Sequence, residues 1–193
     1  MIKADCRKYF VEKRFGLSED DHERLSHEVI QQVLQTINLS GKTISLFLPI
    51  LAKKELNTYP ILRLKDDLNL QIALPVADFE SNNMVHFLYE SDDHIEISKY
   101  GIPEPTQGLE IKPEEIDIVF VPLTCFDLNG FRVGYGKGFY DRFLAHCRKD
   151  CQFVGLSLFE PINAIEDVNE FDIKLHYCIT PNNIYKFIVN NSF

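Results

Sequence analysis

Apolar residues recur at helical spacing in the first part of the chain and at strand spacing in its middle. Ile2, Cys6, Tyr9 and Phe10 share one side of a helix predicted over Ile2–Phe15, which Gly16 stops. Ser18, followed by Glu19, Asp20 and Asp21, predicts a capped second helix with acidic residues at the positive end of its dipole. Leu25, Val29, Val33 and Ile37 carry that helix to about Ile37, and Ile30 and Leu34 widen its stripe. The period then changes. Thr43–Pro49, Leu70–Pro75, Met84–Tyr89 and Ile116–Pro122 are short apolar runs ended by turn residues, and read as strands. Two of them are almost continuously apolar, as strands covered on both faces are. A short helix is predicted within Asn57–Asp66, and an irregular excursion over Gly101–Pro113, where Pro and Gly cluster. After Ile116–Pro122 come a glycine-rich loop, a helix from about Gly138 to Lys149, and a strand over Phe153–Leu158. Strand, loop, helix, strand is a βαβ unit. The pattern predicts an α/β fold: a three-layer, open, mainly parallel sheet with helices on both faces, of Rossmann-like type.

Composition narrows the class. The 193 residues are 45% hydrophobic, show no repeat or long linker, and suit a single domain over 1–193. No apolar run approaches the roughly 20 residues that span a bilayer, and the start is charged from Lys3 onward, unlike a secretory leader. Lys and Arg total 20 against 29 Asp and Glu, a net charge of −9, so the chain is a poor general partner for nucleic acid. The five cysteines contain no Cys-x-x-Cys pair and read as reduced thiols of a cytoplasmic protein. A monomer without membrane partners is expected.

The chemistry concentrates in one stretch. Gly130, Gly134, Gly136 and Gly138 lie between a buried strand and an amphipathic helix, with Arg132 and Lys137 among them. Alternating glycines let the backbone turn successive N–H groups toward one point, and the two cations add full charge, which makes a phosphate cradle. The loop is neither Gly-x4-Gly-Lys-Ser/Thr nor Gly-x-Gly-x-x-Gly. A purely structural glycine turn is the competing reading, and placement after a buried strand favours a ligand site. Asp141, three residues past Gly138, is either a carboxylate complementing the helix dipole or a ligand for Mg²⁺. Position alone leaves both open. Lys3, Arg7 and Arg14 fall within about 40° on a helical wheel. Such a stripe is commonly a solvated face, and gains meaning only if the fold carries it to the glycine loop. No Ser or Cys sits in a nucleophile elbow. Asp127 is the one acid placed to serve as a base in an unrelated sugar-phosphate enzyme, and Cys125 reads as packing.

These residues resemble a known family, 5-formyltetrahydrofolate cyclo-ligase. The match runs from Ile116–Pro122 through Phe126-Asp127 to Gly130-Phe-Arg-Val-Gly-Tyr-Gly-Lys-Gly-Phe-Tyr-Asp-Arg142. Lys3 and Arg7, Glu55-Leu-Asn-Thr58, Glu104-Pro105 and Asp172 support it along nearly the whole chain. Leu123-Thr-Cys125, Phe131, Phe139 and Phe171 depart from the family's usual residues. The resemblance implies conversion of 5-formyltetrahydrofolate to 5,10-methenyltetrahydrofolate with ATP as co-substrate and Mg²⁺. ATP phosphorylates the formyl oxygen, and N10 then closes the ring. It implies ATP contacts from Lys3, Arg7, Arg132, Val133, Gly134, Tyr135, Gly136, Lys137, Gly138, Phe139 and Tyr140, with Lys137 and Arg132 stabilising transferred charge. It implies folate contacts from Ile50, Glu55, Tyr135, Gly136, Lys137, Gly138 and Phe139, and Mg²⁺ held by Asp141 and Asp172. A non-catalytic folate- or nucleotide-binding module is the alternative; it would bind either ligand without releasing ADP.

Overall fold

In the computed structural model, which describes residues 1–189, two helices precede the first strand: α1 (Lys3–Phe15) and α2 (Glu19–Thr36). Ser18 caps α2 by accepting the Asp21 N–H at 3.1 Å. There follow β1 (Thr43–Ser45), α3 (Tyr59–Arg63), β2 (Gln71–Asp78), β3 (Asn83–Leu88), β4 (Ile95–Ile97), β5 (Pro103–Pro105) and β6 (Glu110–Ile111). The second half holds β7 (Ile118–Pro122), β8 (Cys125–Phe126), β9 (Arg132–Val133), α4 (Phe139–Leu144), β10 (Gln152–Leu156), β11 (Tyr177–Ile179) and β12 (Ile184–Lys186).

Eight strands form one sheet in the order β12-β11-β10-β7-β1-β2-β3-β6. The middle, from β11 to β2, is parallel. Antiparallel pairs close both edges. Successive residues of β7 explain its continuous apolarity. Ile118 and Phe120 pack with Phe10, Val29, Ile30 and Val33 from α1 and α2, while Val119 and Val121 face Phe143 and Leu144 of α4. The sheet is therefore covered on both sides, in the three layers that the pattern predicts. Among the described residues no helix is long and apolar enough to cross a membrane.

Four expectations need correction. The Thr43–Pro49 run pairs as a strand only over Thr43–Ser45, although Leu46 to Ile50 stay buried. Beyond Leu46 the backbone turns to side chains for partners: Thr58 Oγ1 donates to the Phe47 carbonyl at 2.5 Å. Conversely, β2 runs through Pro75 to Asp78. Pro75 is tolerated because β1 has ended by then, so its missing N–H faces no strand. The excursion over Gly101–Pro113 is partly ordered: β5 pairs with β4, and β6 forms the edge of the main sheet. The helix expected to reach Lys149 stops at Leu144. Past it, Cys147 Sγ donates to the Phe143 carbonyl and His146 Nδ1 to that of Arg142, and the backbone tightens into i→i−3 bonds.

Candidate functional site

Beyond the carboxyl ends of β1 and β7 lies a cleft of about 560 Å³, where open α/β sheets place their ligands. All the residues expected at the site line it: Lys3, Arg7, Ile50, Glu55, the run Arg132 to Asp141, and Asp172.

The basic stripe of α1 does reach the glycine loop. Arg7 Nε donates to the Gly134 carbonyl at 2.8 Å. Gly136 adopts φ +87°, and a Cβ there would lie 3.0 Å from an Arg7 guanidinium nitrogen. The positive φ favours glycine, and a side chain there would make the Arg7 guanidinium shift. Gly138, at φ +70°, makes the turn into α4. Lys137 between them is exposed at the cleft wall, and its carbonyl accepts from Arg142 Nη2 at 2.9 Å.

Two carboxylates stand beside this loop. Lys3 Nζ lies 2.6 and 2.7 Å from the two oxygens of Asp172, which also accepts the Asn169 N–H at 2.6 Å. Asp141, in the first turn of α4, accepts from Arg132 Nη2 at 2.9 Å and from the Ile173 N–H at 3.1 Å. Arg132 Nη1 donates to the Ile173 carbonyl at 2.5 Å. Asp141 thus has a role that neither reading of its position foresaw, joining β9, α4 and the 169–173 segment. Arg132, expected to wrap phosphates, is nearly buried, with two of its nitrogens already engaged. Phe171 is 75% exposed, and with phenylalanine at this position Asp172 still meets Lys3.

A second carboxylate centre is built on the loop after β1. Glu55 is 5% exposed; its Oε2 accepts the Ile50 N–H at 2.7 Å, and its Oε1 accepts the Tyr135 hydroxyl. Tyr135 in turn accepts from Arg14 Nη2 at 3.2 Å. Burial, reinforced by the nearby Glu55 charge, pushes the Tyr135 phenol well above its usual pKa, and the Tyr140 phenol is raised chiefly by burial. Lys53 sits 4.1 Å from the centre of the Tyr135 ring. Glu55 is therefore a fixed, buried acceptor rather than the solvated charge that its neighbours Lys53 and Lys54 suggest.

The cleft also has an aromatic wall that the sequence pattern does not mark. Phe79, in the β2–β3 turn, lies 3.8 Å from the Tyr100 ring at a 35° tilt and meets Phe139 edge-on at 5.0 Å. All three border the cleft. Phe79 and Tyr100 lie in polar turns, with no periodicity to mark them; only Glu104-Pro105 nearby was a signal, and Glu104 also lines the cleft, accepting the Ala77 N–H at 3.0 Å.

Asp127 is not a base. It is fully buried and accepts the N–H groups of Asn129, Phe131 and Ile165 at 2.9 to 3.0 Å. A carboxylate so held is a structural tie, which removes the one candidate for sugar-phosphate chemistry. Cys125 is buried and its thiol is pushed up by burial, far from a thiolate. His86 is also buried, with Nε2 2.8 Å from Ser45 Oγ and its ring stacked on Phe143; burial lowers its pKa to about 3.

The fold agrees with known proteins. The chain is 28% identical over 183 residues to the 5-formyltetrahydrofolate cyclo-ligase of Haemophilus influenzae, covering 89% of this chain and 94% of that one. It is 26% identical over 186 residues to the mouse protein of the same name, covering 90% of each. The NMR structure of Aquifex aeolicus 5,10-methenyltetrahydrofolate synthetase superposes with a TM-score of 0.76 at 29% identity, covering all of this chain and 96% of that one. The sequence pattern of the 5-formyltetrahydrofolate cyclo-ligase family matches residues 2–181. The chain belongs to the 5-formyltetrahydrofolate cyclo-ligase family.

Proposed function

We propose that this protein converts 5-formyltetrahydrofolate to 5,10-methenyltetrahydrofolate, using ATP and releasing ADP and phosphate. The observation that carries the reading is the docking of α1 on the glycine loop. It brings Lys3 and Arg7 to one cleft with Lys137, Asp141 and Asp172, while Glu55 is fixed in the wall of the same cleft. A nucleotide's phosphates and a pterin would each find partners of complementary charge there.

The formyl group on N5 is amide-like, and its oxygen leaves poorly. When that oxygen attacks the γ-phosphorus, the bond to ADP breaks and the formyl carbon gains a phosphate leaving group. N10 then bonds to that carbon, its proton departs, and the C–O bond breaks to release phosphate. This chemistry needs no enzyme nucleophile, which fits a site built from positioning and charge. Lys137 and Arg7 lie beside the glycine backbone to neutralise phosphate charge, and Arg132 acts from behind Asp141, fixing that carboxylate. Glu55 accepts from the pterin's N–H donors. Phe79, Tyr100 and Phe139 offer flat apolar faces that exclude water from the rings.

Asp141 and Asp172 would hold Mg²⁺. The described residues contain no group of three or more His, Cys, Asp or Glu able to hold a metal, and two carboxylates with phosphate oxygens and water suit this ion better than a closed protein cage. When bound, Mg²⁺ supplies charge neutralisation at the transferred phosphoryl group.

The test is incubation with 5-formyltetrahydrofolate, ATP and Mg²⁺, following methenyl absorbance and ADP together. Both should appear in equal amounts and stop on chelation of Mg²⁺. Folded protein that yields neither product overturns the reading; binding of either ligand without ADP release identifies a binding module instead.

A further inference from the structure

Arg14 is the member of the basic stripe that the nucleotide reading does not use. It does not line the cleft and is 5% exposed. Its guanidinium donates to the Tyr135 hydroxyl at 3.2 Å, and its buried Nε has no hydrogen-bond partner among the described residues. A buried cation bonded only to a neutral phenol is costly unless a counter-charge stands close. Here the counter-charge is Glu55, one hydrogen bond further on.

The polarity of this chain matters. A guanidinium has donors and no acceptor, so the Tyr135 oxygen must accept from it, which commits the hydroxyl proton to Glu55. Tyr135 then occupies one acceptor site of Oε1 and the Ile50 N–H one of Oε2. The carboxylate is held by both oxygens, with lone pairs left for donors arriving from the cleft. Without Arg14 the phenol is free to turn its proton elsewhere, and Glu55 loses both a fixed partner and a counter-charge.

We infer that Arg14 is a positioning residue for the folate: acting through the Tyr135 hydroxyl, it fixes Glu55 as an acceptor and so sets affinity for the pterin-bearing substrate and not for the nucleotide. The inference rests on the reading of Glu55 proposed above.

The experiment is calorimetric titration of 5-formyltetrahydrofolate and, separately, of ATP with Mg²⁺ into five proteins: wild type, Arg14→Met, Arg14→Lys, Tyr135→Phe and the Arg14→Met/Tyr135→Phe double variant. Melting temperatures are recorded for each. Arg14→Met should weaken folate binding about tenfold or more, the worth of a hydrogen bond to a charged group, and leave ATP within about twofold. Arg14→Lys, which still donates, should restore most of the loss. In the Tyr135→Phe background, Arg14→Met should cost folate binding nothing further, because the connection is already cut. Equal weakening of both ligands, or losses that add in the double variant, overturns the inference. If Arg14→Met does not fold, Arg14→Lys and Tyr135→Phe decide: Tyr135→Phe must weaken folate selectively, and wild-type folate affinity in that variant overturns the inference. Wild-type protein that binds ATP but no folate brings down the reading of Glu55 itself, an outcome distinct from failure of the relay alone.

Discussion

Asp172 and Glu55 both border the cleft, yet their charges are balanced in different ways. Asp172 meets Lys3 directly, in a pair whose side chains are 17% and 21% exposed. Glu55 is almost fully buried and reaches Arg14 only through Tyr135. A direct pair at a cleft wall can be exchanged: an incoming phosphate can take the ammonium, and a cation the carboxylate, with little rearrangement. A buried pair bridged by a phenol cannot be exchanged without stranding a charge. The first arrangement suits ligands that bring their own charge, and the second a ligand that brings neutral N–H donors.

The contrast can be broken experimentally, from the largest effect downward. Lys137→Ala should lower kcat about 10²–10³-fold, the cost of removing one donor to developing charge. The side chain is exposed, so the melting temperature should move by no more than about 2 °C; steady-state assay and a thermal melt check both. Glu55→Ala should destabilise the fold by about 3 kcal/mol in urea unfolding, because Arg14 stays buried without a counter-charge, and adding Arg14→Met should recover part of that loss. Acid sharpens the contrast from the opposite side. His86 is a buried group that stays neutral, its pKa held by burial at about 3. As pH falls below 6.5 the unfolded chain takes up a proton there and the folded protein does not, so stability drops with pH down to about 3. The slope approaches about 1.4 kcal/mol per pH unit. His86→Gln, which can still bond Ser45, should show a shallower loss between pH 7 and 5; identical slopes would remove His86 from this account. The smallest effect is expected at Asp172→Asn: about 1 kcal/mol of stability or less, with the loss appearing instead as a raised KM for MgATP.

What the sequence made legible follows from how locally each feature is determined. The β7 run shows its two covered faces in consecutive apolar residues, and α2 announces its start with Ser18. Glycines 136 and 138 are readable because their left-handed backbone angles favour glycine over most other residues. Short strands toward one side of the sheet were not: β11 and β12 have three residues each and no alternation long enough to count. The length of α4 is not legible, because apolar spacing continues to Cys147 while side chains take over the helix carbonyls. Arg14 shows the remaining limit. By wheel position it resembles Lys3 and Arg7, but its hydrogen-bond partner, Tyr135, is 121 residues away.

That distance has a consequence for biosynthesis. Arg7 finds its acceptor 127 residues downstream, and Lys3 its carboxylate 169 residues downstream. During translation α1 leaves the ribosome long before either exists. Closing this side of the cleft must therefore await residue 172, and a nascent polypeptide arrested before it should carry its first helix without an anchor on the sheet.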